Sequence, residues 1–274
     1  RKRRTCLSIF RGELLVESAP YTTQLQAGLG LVGETKELLD IWQPGMRAAA
    51  LYETALSSGR FPNVTARRLR NIVAECFAPR YLRDDGQTAR LLKILRHQLP
   101  SDAFLQLLFL YTCRANPILA DFVRDVYWSR YEGGYDAISS NDARHFVERG
   151  IDDGKTSKRW SESTVRRVAA YLTGCCADFG LLQAGMKSNR QVLPFRIAQS
   201  VAAYLAYDLH FLGMGDNTLL AHEDWGLFGL SRDDVAQELK RASLQGNMVI
   251  QSASDVVRIS WTYPDMEALC NGLT

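Results

Sequence analysis

The sequence predicts a mostly α-helical protein: an N-terminal helical bundle followed by winged-helix-like units with short β-hairpins. Three observations lead there. Apolar residues recur at three- and four-residue steps from residue 46 to about residue 131, the period of helices packed on one face. Gly133-Gly134 then breaks the pattern. Beyond it one order of elements occurs twice: a helix, a glycine stop and two short strands. With 46% hydrophobic residues in 274, the chain has enough apolar material for real cores, which excludes extensive disorder.

The bundle, residues 1–134, is read element by element. Residues 46–58 carry Met46, Ala49, Ala50, Tyr52, Ala55 and Leu56 on a helical stripe that Gly59 and Pro62 end. Residues 65–77 place Leu69, Ile72, Val73 and Cys76 on one side and Arg67, Arg68 and Arg70 outside it. Residues 88–99 repeat the pattern with Leu91, Leu92, Leu95 and Leu99. Pro100-Ser101-Asp102 starts a helix over 103–114, and Pro117 opens another to about Tyr131, since proline is tolerated in a first turn. Five to seven helices are expected.

The second unit, 135–195, begins with a helix capped by Ser140-Asn141-Asp142. After a polar loop, Ser161-Glu162-Ser163-Thr164 starts a strong helix with Val165, Val168, Ala169, Leu172 and Cys176 inside and Gly180 as a left-handed stop. A hairpin over 183–195 follows, turning at Gly185 and Ser188-Asn189 with Val192–Phe195 as a short strand. The third unit, 196–274, holds an apolar helix over 197–211, a helix capped by Ser231 and ended by Gly246-Asn247, and a hairpin over 248–261.

Net charge is only +3, from 33 basic and 30 acidic residues, so attraction to an acidic partner must come from local clustering. One cluster lies at 155–167: Lys155, Lys158, Arg159, Arg166 and Arg167 against a single acid, Glu162. Ser161, Ser163 and Thr164 sit at the same helix start, where backbone N–H groups can hold a phosphate. Lys187 and Arg190 flank the expected wing turn. A helix fits the major groove and a wing can lie on the backbone beside it, so this unit is assigned to double-stranded DNA. A packing role alone is the alternative. Nine basic residues between Arg60 and Arg96, against Glu75, Asp84 and Asp85, offer a second face, on which Arg67, Arg68 and Arg70 would grip phosphates without reading sequence. A solvated helix face is the alternative there. Arg1–Arg4 with Arg11 form a basic arm or a solvated tail. Residues 205–240 carry seven acids against Arg232 and Lys240, which suits protein contact better than phosphate.

Catalytic and cofactor signals are weak. Gly28-Leu29-Gly30-Leu31-Val32-Gly33 spells a dinucleotide fingerprint, but no good strand precedes it, and a helix–helix connection is the preferred reading. The cysteines at 6, 76, 113, 175, 176 and 270 form no C-x-x-C pair and read as buried reduced thiols. No cofactor, metal or enzymatic activity is expected. Trp160, beside the basic helix start, is the one tryptophan worth testing as a base-stacking platform. No apolar run is long enough for a membrane span, and no sustained apolar stretch follows Arg1-Lys2-Arg3-Arg4, so a cytoplasmic location is expected.

Three stretches carry a family likeness: Gly12-Glu13-Leu14-Leu15-Val16-Glu17-Ser18; the apolar segment into Leu119-Ala120-Asp121-Phe122-Val123; and Trp160-Ser161-Glu162-Ser163-Thr164 through Asp178-Phe179-Gly180-Leu181-Leu182. In this order, and over nearly the whole chain, the sequence resembles the BrxA family, a small component of the BREX system of defence against bacteriophage. The resemblance implies a bundle like that of the NusB antitermination factor, winged-helix elements, double-stranded DNA binding and no catalysis. It also implies a supporting place beside the system's methyltransferase, ATPase and phosphatase-like components. The inner-membrane description attached to family members finds no span here. Two other readings stay open: an assembly scaffold docking through the acidic C-terminal unit, and RNA binding through the NusB-like bundle.

Overall fold

In the computed structural model the described residues are 20–24, 30–185, 188–253 and 256–273. Six helices build the first part: α1 (Val32–Ile41), α2 (Ala48–Ser57), α3 (66–81), α4 (Gln87–Leu95), α5 (Ser101–Ala115) and α6 (117–132). That agrees with the five to seven expected. Two of them are not plain α-helices: α3 holds a π-helical turn at Ile72–Phe77 and α6 one at Val123–Tyr127. Local chemistry starts three of these helices. The Thr65 hydroxyl accepts the Arg68 N–H, the Asp84 carboxylate accepts both the N–H and the hydroxyl of Thr88, and Pro117 opens α6. The most apolar stretch becomes α5, which is buried from Phe104 to Cys113 except at Leu105. Phe109 draws distant segments onto the bundle, with Phe179, Phe195 and Phe228 at ring separations of 5.5, 5.4 and 5.8 Å.

The second part runs β1 (Ala137–Ser139), α7 (Ser140–Asp152), α8 (Glu162–Asp178) and β2 (Asn189–Gln191). A capping box of Ser139 and Asp142 starts α7, one residue earlier than the sequence suggests. Val165, Val168, Ala169, Leu172 and Cys176 are buried as expected, and Gly180 takes φ 80° to end the helix. The hairpin differs from its prediction. The strand is 189–191 rather than 192–195, and it pairs antiparallel with β1, Ile138 opposite Arg190. On its other side Leu182 bridges Val192, the Gln183 N–H donates to the Gln191 carbonyl at 2.9 Å, and the Leu193 N–H donates to Leu181 at 2.9 Å. Phe195, expected at the end of the strand, instead turns into the core beside Phe109. A three-residue strand has too few residues to show a period of two, so its partner some fifty residues away is not legible locally.

The third part holds α9 (Gln199–Phe211), α10 (Asp216–Leu220), a 3-10 turn Glu223–Phe228, α11 (Arg232–Ser243), the hairpin β3 (Met248–Ala253) and β4 (Val256–Trp261), and α12 (Met266–Gly272). Ser231 and Asp234 cap α11 as a box. The β3–β4 hairpin pairs in one register from Met248↔Trp261 to Ala253↔Val256. α10 covers the outer edge of β4: Asp216 and Asn217 accept the N–H groups of Ile259 and Val257 at 3.0 and 3.4 Å. α9 is buried from Val201 to Tyr207 and packs on α5, where the Tyr204 and Tyr111 hydroxyls meet at 2.7 Å. The protein is therefore mostly helical with two small antiparallel sheets. Among the described residues no single helix is long and apolar enough to cross a membrane. The α5–α6 pair, bent by 115°, has the composition but lies in the core.

Candidate nucleic-acid interface

α8 packs on α7 through its apolar stripe and leaves Glu162, Ser163, Arg166, Arg167 and Ala170 exposed along the opposite face. Its start is a knot of hydroxyls. Ser161 Oγ accepts the Thr164 N–H at 3.3 Å and lies 3.1 and 2.9 Å from the hydroxyls of Ser163 and Thr164. Lys158 and Arg167 are exposed and make no ion pair among the described residues. Arg159, 81% exposed, lies 3.4 Å from Asp152, and Arg166 lies 4.0 Å from Glu162. Pairs this exposed hold their cations only weakly. Four cations thus stand at the amino end of one helix.

Lys155 does not join them. Its ammonium lies 2.9 Å from Asp121 and 3.2 Å from the Tyr21 hydroxyl, above the Tyr21 ring. Tyr21 in turn donates its hydroxyl to Asp121 at 2.6 Å and its N–H to the Lys155 carbonyl at 2.7 Å. Burial, and then the Asp121 carboxylate, push the Tyr21 hydroxyl well above the usual tyrosine range, so it stays a donor. Lys155 pins Tyr21 to α6. Arg190 is also inward: it donates to the Gln183 carbonyl at 2.9 Å and braces the hairpin. Lys187 lies outside the described residues, as do Arg1–Arg4 and Arg11. Trp160 is half-buried against the core.

The 60–96 face breaks up on folding. Arg60 lies 3.3 Å from Glu37 and 3.5 Å from Asp40, Arg96 pairs with Asp40, and Arg90 pairs with Glu267. Lys93 donates to the carbonyls of Asp40 and Trp42, and Arg80 is buried. Arg67, Arg68 and Arg70 remain exposed on α3, with Arg70 5.1 Å over the Tyr52 ring. They belong to the α2–α3 side of the bundle, whereas the 158–167 cations stand on the α7–α8 pair.

The acids of 205–240 are largely spent inside the molecule. Asp208 and Asp224 clamp Arg114 at 2.7 and 2.8 Å, Glu223 reaches Arg124 at 3.3 Å, and Glu238 holds Arg196 and Arg241. The Arg114 and Arg124 contacts fasten α9 and the 3-10 turn to the bundle, which charge counting along the sequence did not show. Of the fingerprint glycines, Gly28 lies outside the described residues and Gly33 sits in the first turn of α1. Gly30 donates its N–H to Asp178 at 3.0 Å, and a Cβ there would stand 2.7 Å from that of Asp178. That contact requires a residue without a side chain. The described cysteines are buried and unpaired, and burial pushes the Cys175 and Cys270 thiols up to about 12. Among the described residues no group of three or more His, Cys, Asp or Glu could hold a metal ion.

A family model, BrxA, matches residues 19–208. The chain belongs to the BrxA family. The matched span of this BrxA-family protein takes in all six bundle helices, the β1–α7–α8–β2 unit and most of α9, and it stops before α11 and the β3–β4 hairpin. Membership ties the chain to BREX defence against bacteriophage. No curated protein matches the chain.

Proposed function

We propose that this BrxA-family chain is a non-catalytic accessory protein that binds duplex DNA in the cytoplasm, beside the other components of the BREX system. The observation that carries the reading is the exposed set Lys158, Arg159, Arg166 and Arg167 around the hydroxyl-rich start of α8. The order strand, helix, helix, strand, with β2 lying between β1 and the 181–183 segment, supports a winged-helix reading. In that arrangement α8 enters the major groove and α7 braces it. Cations contacting phosphates give register and affinity rather than base recognition, so binding is weakly sequence-specific.

The test is the salt dependence of binding to a random duplex. With four cations engaged, and Lys155 withheld, the log–log slope is expected at about −3 to −4. Arg166→Glu with Arg167→Glu should remove most DNA retention while leaving thermal unfolding unchanged. A slope near zero, or full retention by that variant, refutes the reading. Displacement of the duplex by structured RNA at equal concentration would assign the surface to RNA instead.

A further inference from the structure

The bundle carries a second surface, and its composition suits a different class of partner. α2 and α3 lie side by side and leave a groove of about 320 Å3 between them. Ala48, Ala49 and Tyr52 floor it from one side and Val73 and Ala74 from the other. Leu56, 45% exposed, continues the α2 wall one turn beyond Tyr52. The α3 wall is the π-helical turn Ile72–Phe77, which buries Ile72, Val73, Cys76 and Phe77 and leaves Ala74 and Glu75 outside. Such turns are uncommon and frequent at functional sites. Small side chains on both walls let another backbone approach closely.

The rim is basic. Arg47, just before α2, and Arg67 and Arg70 on α3 are exposed, and none makes an ion pair among the described residues. Arg70 is held over Tyr52 at the groove edge. Glu53 is the acid lining the groove. The contrast with Arg60, Arg90 and Arg96, all tied to carboxylates, sets these three apart. Tyr52 and Val73 are buried at the bottom of the groove while Ala49 and Ala74 are exposed on its walls. Such an apolar lining gains nothing from a phosphate backbone but gains from apolar side chains, and rim cations select the charge that flanks them. A groove between two helices takes a third helix through side chains at i, i+3, i+4 and i+7.

We propose that the α2–α3 groove docks an amphipathic helix of a partner protein, its apolar face in the groove and its acidic flank against Arg47, Arg67 and Arg70. This docking does not rest on the DNA reading and uses none of the α8 residues.

The test uses the full chain and three labelled helical peptides of about 18 residues, five turns, with one leucine face and flanks of Glu, Gln or Lys. Fluorescence anisotropy should rank them Glu, Gln, Lys, with about tenfold between neighbours. Arg67→Glu with Arg70→Glu should invert the order, and Ala49→Trp, which fills the groove, should weaken the Glu peptide at least about tenfold. Both variants should unfold thermally as the parent does, which reports that they are folded, and should retain DNA to the parent's extent. No binding of the Glu peptide, equal binding of all three, or an unaffected charge-reversed variant overturns the proposal. So does loss of DNA retention by Arg67→Glu with Arg70→Glu, which would return this face to the DNA footprint. A dimer that Ala49→Trp converts to monomer in sedimentation overturns it in favour of a second copy of the chain.

Discussion

Lys155 shows how little a charge count says about a single residue. In sequence it heads the 155–167 basic cluster; in the fold it is bonded to Asp121 and Tyr21. Lys155→Met should therefore leave the affinity for random duplex within about twofold, a change under half a kilocalorie per mole. Its stability effect should stay below about 1 kcal/mol, because the pair is partly exposed. A filter-binding titration and a denaturant melt check both values. Arg167, with no carboxylate neighbour among the described residues, is the opposite case, and its loss should fall on DNA retention rather than on stability. Residue type and spacing made the 158–167 group legible. Commitment of Lys155 and Arg190 to internal acceptors was not, since those acceptors stand on other segments.

At the scale of elements, capping chemistry made helix starts readable. Ser161 and Ser231 cap where serine followed by polar residues suggests, and Ser139 with Asp142 does the same for α7. These caps carry a pH signature. Burial pushes the Asp142 carboxyl up, but the Ser139 N–H, the Ser139 hydroxyl and Arg130 outweigh it and hold the group below the usual carboxylate range. A carboxylate depressed in the folded state contributes its stabilisation fully above its unfolded pKa and loses it as pH falls through the folded value. Asp142→Ala should therefore destabilise by about 1 kcal/mol near neutral pH. The gap to the parent should close as pH drops below about 4. Paired thermal melts from pH 7 to about pH 3 would show it; a gap independent of pH would remove the carboxylate from the account. Short strands were less legible than helices. β3 and β4 are neighbours in the chain and fall within the hairpin read over 248–261, whereas β1 and β2 are separated by α7 and α8.

At the scale of the whole molecule, one ionic node joins distant parts that no local pattern connects. Arg114 on α5 is clamped by Asp208 of α9 and Asp224 of the 3-10 turn, joining the bundle to the third part. Burial disfavours the guanidinium charge, but the two carboxylates more than offset it and raise its pKa. Arg114→Leu strands two partly buried carboxylates and should destabilise by about 3 kcal/mol or more. Adding Asp208→Leu and Asp224→Leu should recover part of that loss, because apolar side chains of similar bulk tolerate burial better than unpaired charges. Denaturant unfolding of the single and triple variants tests this. Equal stability of parent and Arg114→Leu would show that α5, α9 and the 3-10 turn are held by packing alone.

Although α1, α10 and α12 were not read from it, the sequence by itself determined the helical class, the bounds of the longer amphipathic helices to within a few residues, the glycine stops and the basic start of α8. All of these follow from short-range periodicity, capping and charge density. Tertiary structure alone decided which cations stay exposed, which strand pairs with β1, and that the C-terminal acids bind the molecule to itself. Those outcomes depend on groups far apart in the chain meeting across one core, and no local window of sequence contains both partners.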